Sequence, residues 1–189
     1  MSVRVVMGLG NFGVEYDGTR HNVGASLVRR LAAGCGAEFS RNKYCGAYVA
    51  KIDLRGRGVV LAFSDSYMNL SGVCLGKILR FYNVACSECA VVHDDISFEV
   101  GRVKLSVGGS SGGHNGVEDI MSRCGNEFVR VRVGIGGKPD PRMDLADYVL
   151  GRLDEIDAAK IDLVDIGACV GALVSGGVQA AQNLFNRRR

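Results

Sequence analysis

Short, mostly apolar strand segments alternate with amphipathic helices along this chain, and that alternation constrains its fold more than any other feature. The runs "VRVVMG" (3–8) and "CAVVHDD" (89–95) are typical of buried strands. Between them, Val23, Leu27 and Leu31 repeat at helical spacing. Helices that alternate with buried strands predict an α/β fold, with a twisted, mixed and largely parallel β-sheet flanked by helices.

The remaining segments extend this pattern. "AYVAKIDL" and "GVVLAFS" flank "RGRG" and predict a hairpin, and "LSGVCLGKILRFYNV" predicts a helix. "GRVKLSV" and "FVRVRVGIG" predict strands on either side of a glycine-rich loop and a helix that begins near His114. With 189 residues and no linker or repeat, we expect one domain over 1–189, with a C-terminal helical segment at about 154–186 that is interrupted near Ser175–Gly177.

The composition is that of an ordinary globular protein, with 47% hydrophobic and 23% charged residues. No stretch reaches the roughly 20 apolar residues of a membrane span, and the N-terminus lacks a signal-peptide pattern, so we expect a cytoplasmic protein. The seven cysteines are irregularly spaced, which is not typical of a disulfide framework. "CSEC" (86–89) has no second pair of the kind that a zinc site needs, so we expect packed, reduced thiols.

Charge is distributed unevenly around the net value of +3. Residues 1–143 carry a net charge of +5, residues 144–165 carry −5, and Arg187–Arg189 restore the balance. The basic excess is densest from Arg20 to Arg57. Such a face attracts the phosphates of a nucleic acid, although on charge alone a solvated surface is the simpler interpretation.

The segment after the first strand contains a formal G-x-G-x-x-G at Gly8, Gly10 and Gly13. In a dinucleotide-binding loop, a helix opens directly after the third glycine, and an acidic residue follows about 20 residues later. Here "VEYDGTRHNVG" follows instead, and no acidic residue lies between Asp17 and Glu38. We therefore predict that the protein binds no nucleotide cofactor.

The three histidines, His21, His93 and His114, each lie in a polar segment at the end of a predicted strand or beside glycines. These polar segments are "NFGVEYDGTRHN", "VVHDDIS" and "GGSSGGHNG", and "DSYMNLSG" is a fourth. Functional sites of open α/β sheets gather beyond the carboxyl ends of the strands, so we expect one shared site. A purely structural role remains open for any single histidine.

The residue types in these segments suit hydrolysis of an ester or amide without a metal. A histidine, with an ordinary pKa near 6.5, can take a proton from water, and a carboxylate can fix its tautomer. Amide groups can stabilise the oxygen on which negative charge develops. None of the four segments contains a cysteine, which favours attack by water over a covalent intermediate. On chemistry alone, Asp94 and Asp95 are equivalent candidates for the carboxylate.

Six stretches together resemble the bacterial-type peptidyl-tRNA hydrolases, from Val3 to about Leu153: "GLGNFGVEYDGTRHNVG", "YMNLSG", "VVHDD", "GGHNG", "RVGIG" and "DYVLGRL". The resemblance implies one catalytic domain with a peptidyl-tRNA hydrolase-like fold. It also implies hydrolysis of the ester between a peptide and the 3′-terminal ribose of tRNA, by a monomer that uses no cofactor and no metal.

The resemblance assigns residue roles. His21 matches the catalytic histidine, and Asp94 matches the aspartate that orients it. Asn11 matches a residue that positions water and substrate, while Asn69 and Asn115 match amides that bind the peptide backbone. The other substrate-binding positions implied in this way are Tyr16, Tyr67, Met68 and His114.

Lys104 and Arg132 match positions that the family uses for the 5′ phosphate of the tRNA. The alternative function is that of a non-catalytic, RNA-binding relative with the same fold and basic face. RNA binding alone would need none of the histidine, aspartate and asparagine positions, so their presence favours the hydrolase.

Three positions depart from the family pattern. Phe12 replaces a common proline, which predicts a looser loop around Asn11. Ser106 and Ser111 stand where some members have a basic residue and a histidine, respectively. We expect a weaker phosphate site at Ser106 and assign no role to Ser111.

Overall fold

Seven strands form one mixed sheet in the computed structural model, which describes residues 2–187. The strands are β1 (Val5–Gly8), β2 (Ser40–Asn42), β3 (Ala47–Leu54), β4 (Arg57–Ser64), β5 (Cys89–Asp95), β6 (Val103–Val107) and β7 (Val129–Gly134). Their order across the sheet is β2-β3-β4-β1-β5-β7-β6. The four central strands are mutually parallel, while β2, β3 and β6 pair antiparallel with their neighbours. The predicted mixed, largely parallel sheet is confirmed.

Helices cover both faces of this sheet. They are α1 (Val23–Gly34), α2 (Ser71–Tyr82), α3 (Asn115–Cys124), α4 (Leu145–Leu150), α5 (Glu155–Asp162) and α6 (Ile166–Phe185). One hydrophobic core joins α1, α4, α5 and α6 to one face of the sheet, and a second core joins α2 and α3 to the other. The strands between the two cores are apolar on both sides: Val5, Val6 and Met7 of β1 are completely buried.

Glycines bring α1 against the backbone of β1 and β5. A Cβ atom on Gly8 would overlap the carbonyl oxygen of Gly24, and one on Gly24 would overlap the carbonyl oxygen of Val92. Any larger residue would therefore push the start of α1 off the sheet. These two glycines serve helix packing, and they hold the residues just before α1 at the ends of β1 and β5.

The apolar C-terminal segment packs on the core. Glu155–Phe185 is long and apolar enough, by length and composition alone, to cross a membrane, which corrects the expectation that no stretch approaches such a span. Half of its most apolar window is buried inside the protein. Gly177 breaks α6 with a φ of 74°, at the predicted interruption. Of the basic tail, Arg188 and Arg189 lie outside the described residues.

The residue after α6 covers the free edge of β6. The backbone N–H of Leu105 donates to Asn186 Oδ1 at 2.8 Å, and Asn186 Nδ2 donates to the carbonyl of Leu105 at 2.9 Å. The side-chain amide of Asn186 thus occupies the N–H and the carbonyl of Leu105, which a further strand beside β6 would have paired with.

Two elements escaped prediction, β2 and α4. The strand β2 is three residues long and polar, so it carries no alternating pattern. The helix α4 has six residues and is recognisable only by Asp144, whose carboxylate accepts from the backbone N–H of Ala146 at 2.7 Å. Both are too short for hydrophobic periodicity to reveal.

The cysteines are free thiols, and several are packed in the core. Burial raises the pKa of Cys74 and of Cys169 to about 12. Such thiols stay protonated at neutral pH and behave as small apolar side chains, in agreement with the expectation from their spacing.

Candidate active site

A cleft of about 860 Å³ opens at the edge of the sheet where β1, β4, β5 and β7 end. Its walls come from the loops that follow β1 and β4, the end of β5, the glycine-rich loop 108–113 and the start of α4. Because these strands are parallel, their carboxyl ends meet at one edge, as the sequence predicts.

His21 and Asp94 form a buried pair in this cleft. His21 lies in a single 3-10 turn, Arg20–Asn22, directly before α1, and Asp94 is the penultimate residue of β5. The Nδ1 atom of His21 lies 3.0 and 3.2 Å from the two carboxylate oxygens of Asp94. Donation from Nδ1–H to the carboxylate leaves Nε2 as the ring nitrogen that can accept a proton.

His114 fixes the other side of the same carboxylate. Its Nδ1 accepts the backbone N–H groups of Gly116 and Val117, at 3.2 and 3.3 Å, and so caps α3. The hydrogen of this imidazole is therefore on Nε2, which donates to Asp94 Oδ1 at 3.0 Å. The start of α3 thus determines the tautomer of His114 and orients it toward Asp94.

Asp94 carries a buried negative charge. Burial by itself would raise the pKa of this carboxyl, but the charges and hydrogen bonds of His114 and His21 outweigh burial and hold its pKa well below the usual value. The group is ionised at neutral pH and can stabilise an imidazolium on His21.

His93 is structural in character. Its Nδ1 donates to the backbone carbonyl of Asp94 at 2.7 Å, and its ring packs edge-on against His114, with centroids 4.9 Å apart. Burial lowers the pKa of His93 to about 3, so this histidine is neutral near pH 7.

Asn11 is held in the loop after β1 by three hydrogen bonds. Its backbone N–H donates to Asn22 Oδ1 at 2.9 Å, and its carbonyl accepts from Asn22 Nδ2 at 2.8 Å. Its side-chain oxygen accepts the backbone N–H of Met68 at 2.7 Å. Since the oxygen is occupied, the Nδ2 group is the part of this amide available to donate to a ligand.

Two further amides line the cleft. Asn69 lies in the 3-10 turn Met68–Leu70 after β4, and Asn115 is the first residue of α3. Met68 is buried beside them. Amide groups from three separate elements therefore line the cleft that holds the histidine–aspartate pair, and amide donors can stabilise a developing oxyanion.

The same cluster has the composition of a metal site. Single ligand atoms of His21, Asp94 and His114 all lie within 4.8 Å of one another. The nitrogen–oxygen separations of 3.0 Å and the helix-capping role of His114 Nδ1 are explained by hydrogen bonds alone. The donor set thus favours proton transfer, and a chelator distinguishes the two chemistries.

Comparisons with known proteins agree with this geometry. The family model described as peptidyl-tRNA hydrolase matches residues 5–189. The peptidyl-tRNA hydrolase of Anaeromyxobacter sp. (strain K) is 43% identical over 98% of this chain and 97% of its own length. That of Rhodococcus erythropolis (strain PR4 / NBRC 100887) is 41% identical over 95% of each chain. This chain belongs to the peptidyl-tRNA hydrolase family.

The fold is also that of solved peptidyl-tRNA hydrolases. The crystal structure of the enzyme from Acinetobacter baumannii is 32% identical, covers 99% of this chain and 96% of its own, and has a TM-score of 0.92. The Arg119Gln mutant of the Acinetobacter baumannii enzyme has a TM-score of 0.93. The predicted peptidyl-tRNA hydrolase-like fold is confirmed.

Most of the predicted site residues meet in the cleft. Those that line it are Asn11, His21, Met68, Asn69, Asp94, His114, Asn115 and Arg132. Tyr16 and Tyr67 are not among the lining residues that the structure describes: Tyr16 lies in the turn Val14–Tyr16, and Tyr67 is 59% exposed. The substrate-binding roles expected for Tyr16 and Tyr67 therefore gain no support from the cleft wall and stay predictions.

Lys104 and Arg132 are paired side by side on β6 and β7, where they are directly opposite in register. Both cations lie over the ring of Phe98, at 5.4 and 4.7 Å from its centroid. Lys104 itself lies outside the cleft wall formed by the described residues. Arg132 Nε donates to Asp95 Oδ2 at 2.7 Å. The two neighbouring aspartates therefore have different partners, because successive side chains of a strand point to opposite faces: Asp94 contacts His21 and His114, and Asp95 contacts Arg132.

Sequence reasoning missed Arg130, which is buried in the wall of the cleft. Its guanidinium donates to the carbonyls of Gly109 and Ser110 and to Asn126 Oδ1, so it holds the glycine-rich loop in place. The available signal was the alternation in "VRVRVG", which puts Arg130 on the same face of β7 as Arg132.

Proposed function

We propose that this protein hydrolyses the ester bond between the peptide and the 3′-terminal ribose of peptidyl-tRNA, which releases free tRNA for reuse in translation. The observation that carries the proposal is the buried contact of 3.0 Å between His21 Nδ1 and Asp94 in a cleft that is also lined by Asn11, Asn69 and Asn115. Membership of the peptidyl-tRNA hydrolase family supports the choice of substrate.

In the proposed reaction, His21 Nε2 takes a proton from a water molecule as its oxygen attacks the ester carbonyl. The negative charge of Asp94 stabilises the imidazolium that forms. Collapse of the tetrahedral intermediate breaks the bond to the ribose oxygen, and His21 returns its proton to that oxygen. The products are a peptide with a free carboxylate and a tRNA with a free 3′ end.

Amide donors stabilise the oxyanion formed during attack. Asn11, Asn69 and Asn115 line the same cleft as the reacting pair, and each well-placed donor contributes about 3 kcal/mol in comparable sites. Among the hydrogen bonds of residues 2–187, none joins His21 to a serine or cysteine side chain. That supports attack by water over a covalent intermediate.

Lys104 and Arg132 are proposed to bind the 5′ phosphate of the tRNA. Their charges lie together beside the cleft, and phosphate contacts of this kind orient a nucleic acid without reading its sequence. We further propose that the protein acts as a monomer in the cytoplasm, where ribosomes produce its substrate.

The test is release of free tRNA from an N-acetylated aminoacyl-tRNA in the presence of EDTA. We expect turnover by the wild-type protein, and a rate about 10²- to 10⁴-fold lower for His21→Ala, because a general base is lost. Because Lys104 and Arg132 are intact, the dissociation constant for tRNA should be the same for both proteins.

Two results would contradict this mechanism. Tight tRNA binding by a wild-type protein without turnover would favour the non-catalytic RNA-binding relative. Turnover that EDTA abolishes and added Zn²⁺ restores would make His21, Asp94 and His114 metal ligands.

A further inference from the structure

A second groove, of about 590 Å³, lies at the far end of the sheet from β6 and β7. It runs between the β2–β3 hairpin and the C-terminal half of α2, over the turn that contains Tyr44. Its walls share no residue with the candidate active-site cleft among residues 2–187. The proposed reaction therefore leaves this groove unexplained.

Aromatic rings form one wall of the groove. Tyr44 is 83% exposed and Phe81 is 54% exposed, and their rings lie nearly parallel, at 17°, with centroids 6.3 Å apart. Tyr82 meets Phe81 edge-on at 5.0 Å. Large aromatic side chains are usually buried, so an adjacent pair that stays in water from two different elements marks a binding surface.

Cations line the same groove as these rings. Lys43 and Lys51 line the groove, and no ion pair in the described part of the chain involves either of them. Lys77 lies one turn before Phe81 on the same face of α2. Glu38 is the one acidic residue among the lining residues that the structure describes.

Arg41 also lines the groove, but its charge is paired with that of Asp65. Its Nε and Nη2 atoms donate to Asp65 Oδ2 at 2.9 and 2.7 Å. The unpaired positive charge of the groove therefore comes from the lysines.

The lysines favour a nucleic acid over a protein as the occupant of this groove. Protein interfaces are enriched in aromatic residues but depleted in lysine. Grooves for unpaired nucleic acid combine exposed aromatic rings, on which bases stack, with cations that follow the phosphates. We propose that this groove binds unpaired nucleotides of an RNA strand, with bases against Tyr44 and Phe81 and phosphates near Lys43 and Lys51.

The choice of RNA rests in part on the proposed function, because a peptidyl-tRNA hydrolase meets RNA as its substrate. Six strand spacings separate β2 from β6, so the groove lies roughly 30 Å from the Lys104–Arg132 pair. A short acceptor fragment cannot reach both places. The groove therefore contributes to binding of a large or extended RNA and leaves the chemistry of a minimal ester unchanged.

The experiment measures RNA binding in a His21→Ala background, where hydrolysis cannot interfere. The probe is a fluorescein-labelled, unstructured RNA of about 12 nucleotides, within the site size of aromatic single-strand grooves. We expect Tyr44→Ala with Phe81→Ala to weaken binding by about tenfold or more, as expected when base stacking is lost. The conservative pair, Tyr44→Phe with Phe81→Tyr, keeps both rings and should bind like the parent protein.

The charges are tested separately. Lys43→Gln with Lys51→Gln should lower the slope of log K against log salt by roughly 1.4, the value for two phosphate contacts on a single strand. On the His21-containing protein, Tyr44→Ala should leave kcat unchanged for a minimal ester that carries only the terminal nucleoside.

Two outcomes would overturn the groove as an RNA site. One is equal RNA affinity for the double alanine variant and the parent. The other is a wild-type dimer in sedimentation velocity that Tyr44→Ala converts to a monomer, since the occupant would then be a second copy of the chain. Because binding is measured without hydrolysis, loss of RNA binding supports the groove even if the wild type fails to cleave peptidyl-tRNA, a failure that would count against the proposed function alone.

Discussion

At the scale of single residues, the candidate site depends on one carboxylate that accepts hydrogen bonds from two imidazoles. Asp94 receives Nδ1–H of His21 and Nε2–H of His114, both at 3.0 Å. His114 has its tautomer set by the α3 backbone, so the helix indirectly keeps the carboxylate in place for His21. Both donors lie closest to Oδ1, and the carboxylate, unlike an amide, also supplies the negative charge that stabilises an imidazolium.

We expect Asp94→Asn to lower kcat by about 10³- to 10⁴-fold with little change in KM. The neutral amide carries no charge to stabilise the imidazolium on His21, and an N–H₂ group in place of the oxygen 3.2 Å from His21 Nδ1 favours the wrong tautomer of that ring. Steady-state kinetics on an N-acetylated aminoacyl-tRNA measure the effect. A variant that retains a tenth of wild-type kcat would show that Asp94 does not orient the base.

His93 predicts a pH dependence of stability. Its pKa is about 3 in the folded protein, against an ordinary value near 6.5 in the unfolded chain. Between these values the unfolded state binds the extra proton, so the free energy of unfolding falls as pH decreases from 6.5 toward 3. This histidine is expected to contribute on the order of a few kcal/mol across that range.

The measurement is urea denaturation of the wild type and of His93→Gln at several pH values between 4.5 and 7. Glutamine cannot take up the proton, so the variant should lose stability less steeply as the pH falls, whatever its stability at pH 7. Parallel curves for the two proteins would mean that His93 does not titrate on unfolding.

At the scale of elements, stacked aromatic rings attach the loop after β1 to two neighbouring strands. Phe12 stacks on Tyr48 of β3 at 5.6 Å and 13°, and Tyr48 stacks on Phe63 of β4 at 5.1 Å and 8°. The guanidinium of Arg29 packs on Phe63, the last ring of this series, at 4.2 Å from the ring centroid. The expectation of a looser loop at Phe12 considered only the lost proline ring, whereas stacking restrains the loop in another way.

We expect Phe12→Ala to lower kcat by roughly tenfold, because the adjacent Asn11 loses a fixed position, while Phe12→Tyr keeps the stack and the rate. Tyr48→Ala, which breaks the same stack from β3, should reproduce the loss. Val14→Ala is the matched control, since Val14 is an exposed apolar residue of the same loop. Equal rates for Phe12→Ala and Val14→Ala would exclude a positioning role for the stack.

At the scale of the whole molecule, the two cations of β6 and β7, the histidine–aspartate pair and the aromatic groove lie at different places across one sheet. Lys104 and Arg132 are at one end, the histidine–aspartate pair is at the centre, and the aromatic groove with Tyr44 is at the other end. This layout allows a long polyanion to contact the protein at several places while the ester enters a single cleft.

We expect Lys104→Ala and Arg132→Ala each to weaken tRNA binding and to lower the salt slope by about 0.9. Arg132→Ala should weaken binding more, because it also leaves the carboxylate of Asp95 unpaired beside the phosphate. Filter binding of tRNA at several salt concentrations measures both. Arg4→Ala is the control, because Arg4 directly precedes the central strand β1 and so lies at the amino-terminal ends of the parallel strands, away from the cleft at their carboxyl ends. Equal slopes in all three variants would move the phosphate site elsewhere.

What the sequence by itself determined is local. Buried strands and amphipathic helices leave periodic patterns, so the α/β class, the central strands and the break at Gly177 follow from neighbours along the chain. The polar segments at strand ends likewise indicated one shared site, and the order of six stretches indicated the family.

Only the tertiary structure decided which side chains meet. His21 and Asp94 are 73 residues apart, and the choice between Asp94 and Asp95 depends on which face of β5 each occupies. Tyr44 and Phe81 become one surface because a hairpin packs along α2. Contacts of this kind arise from packing between elements distant in sequence, and packing leaves no periodic signal in the chain.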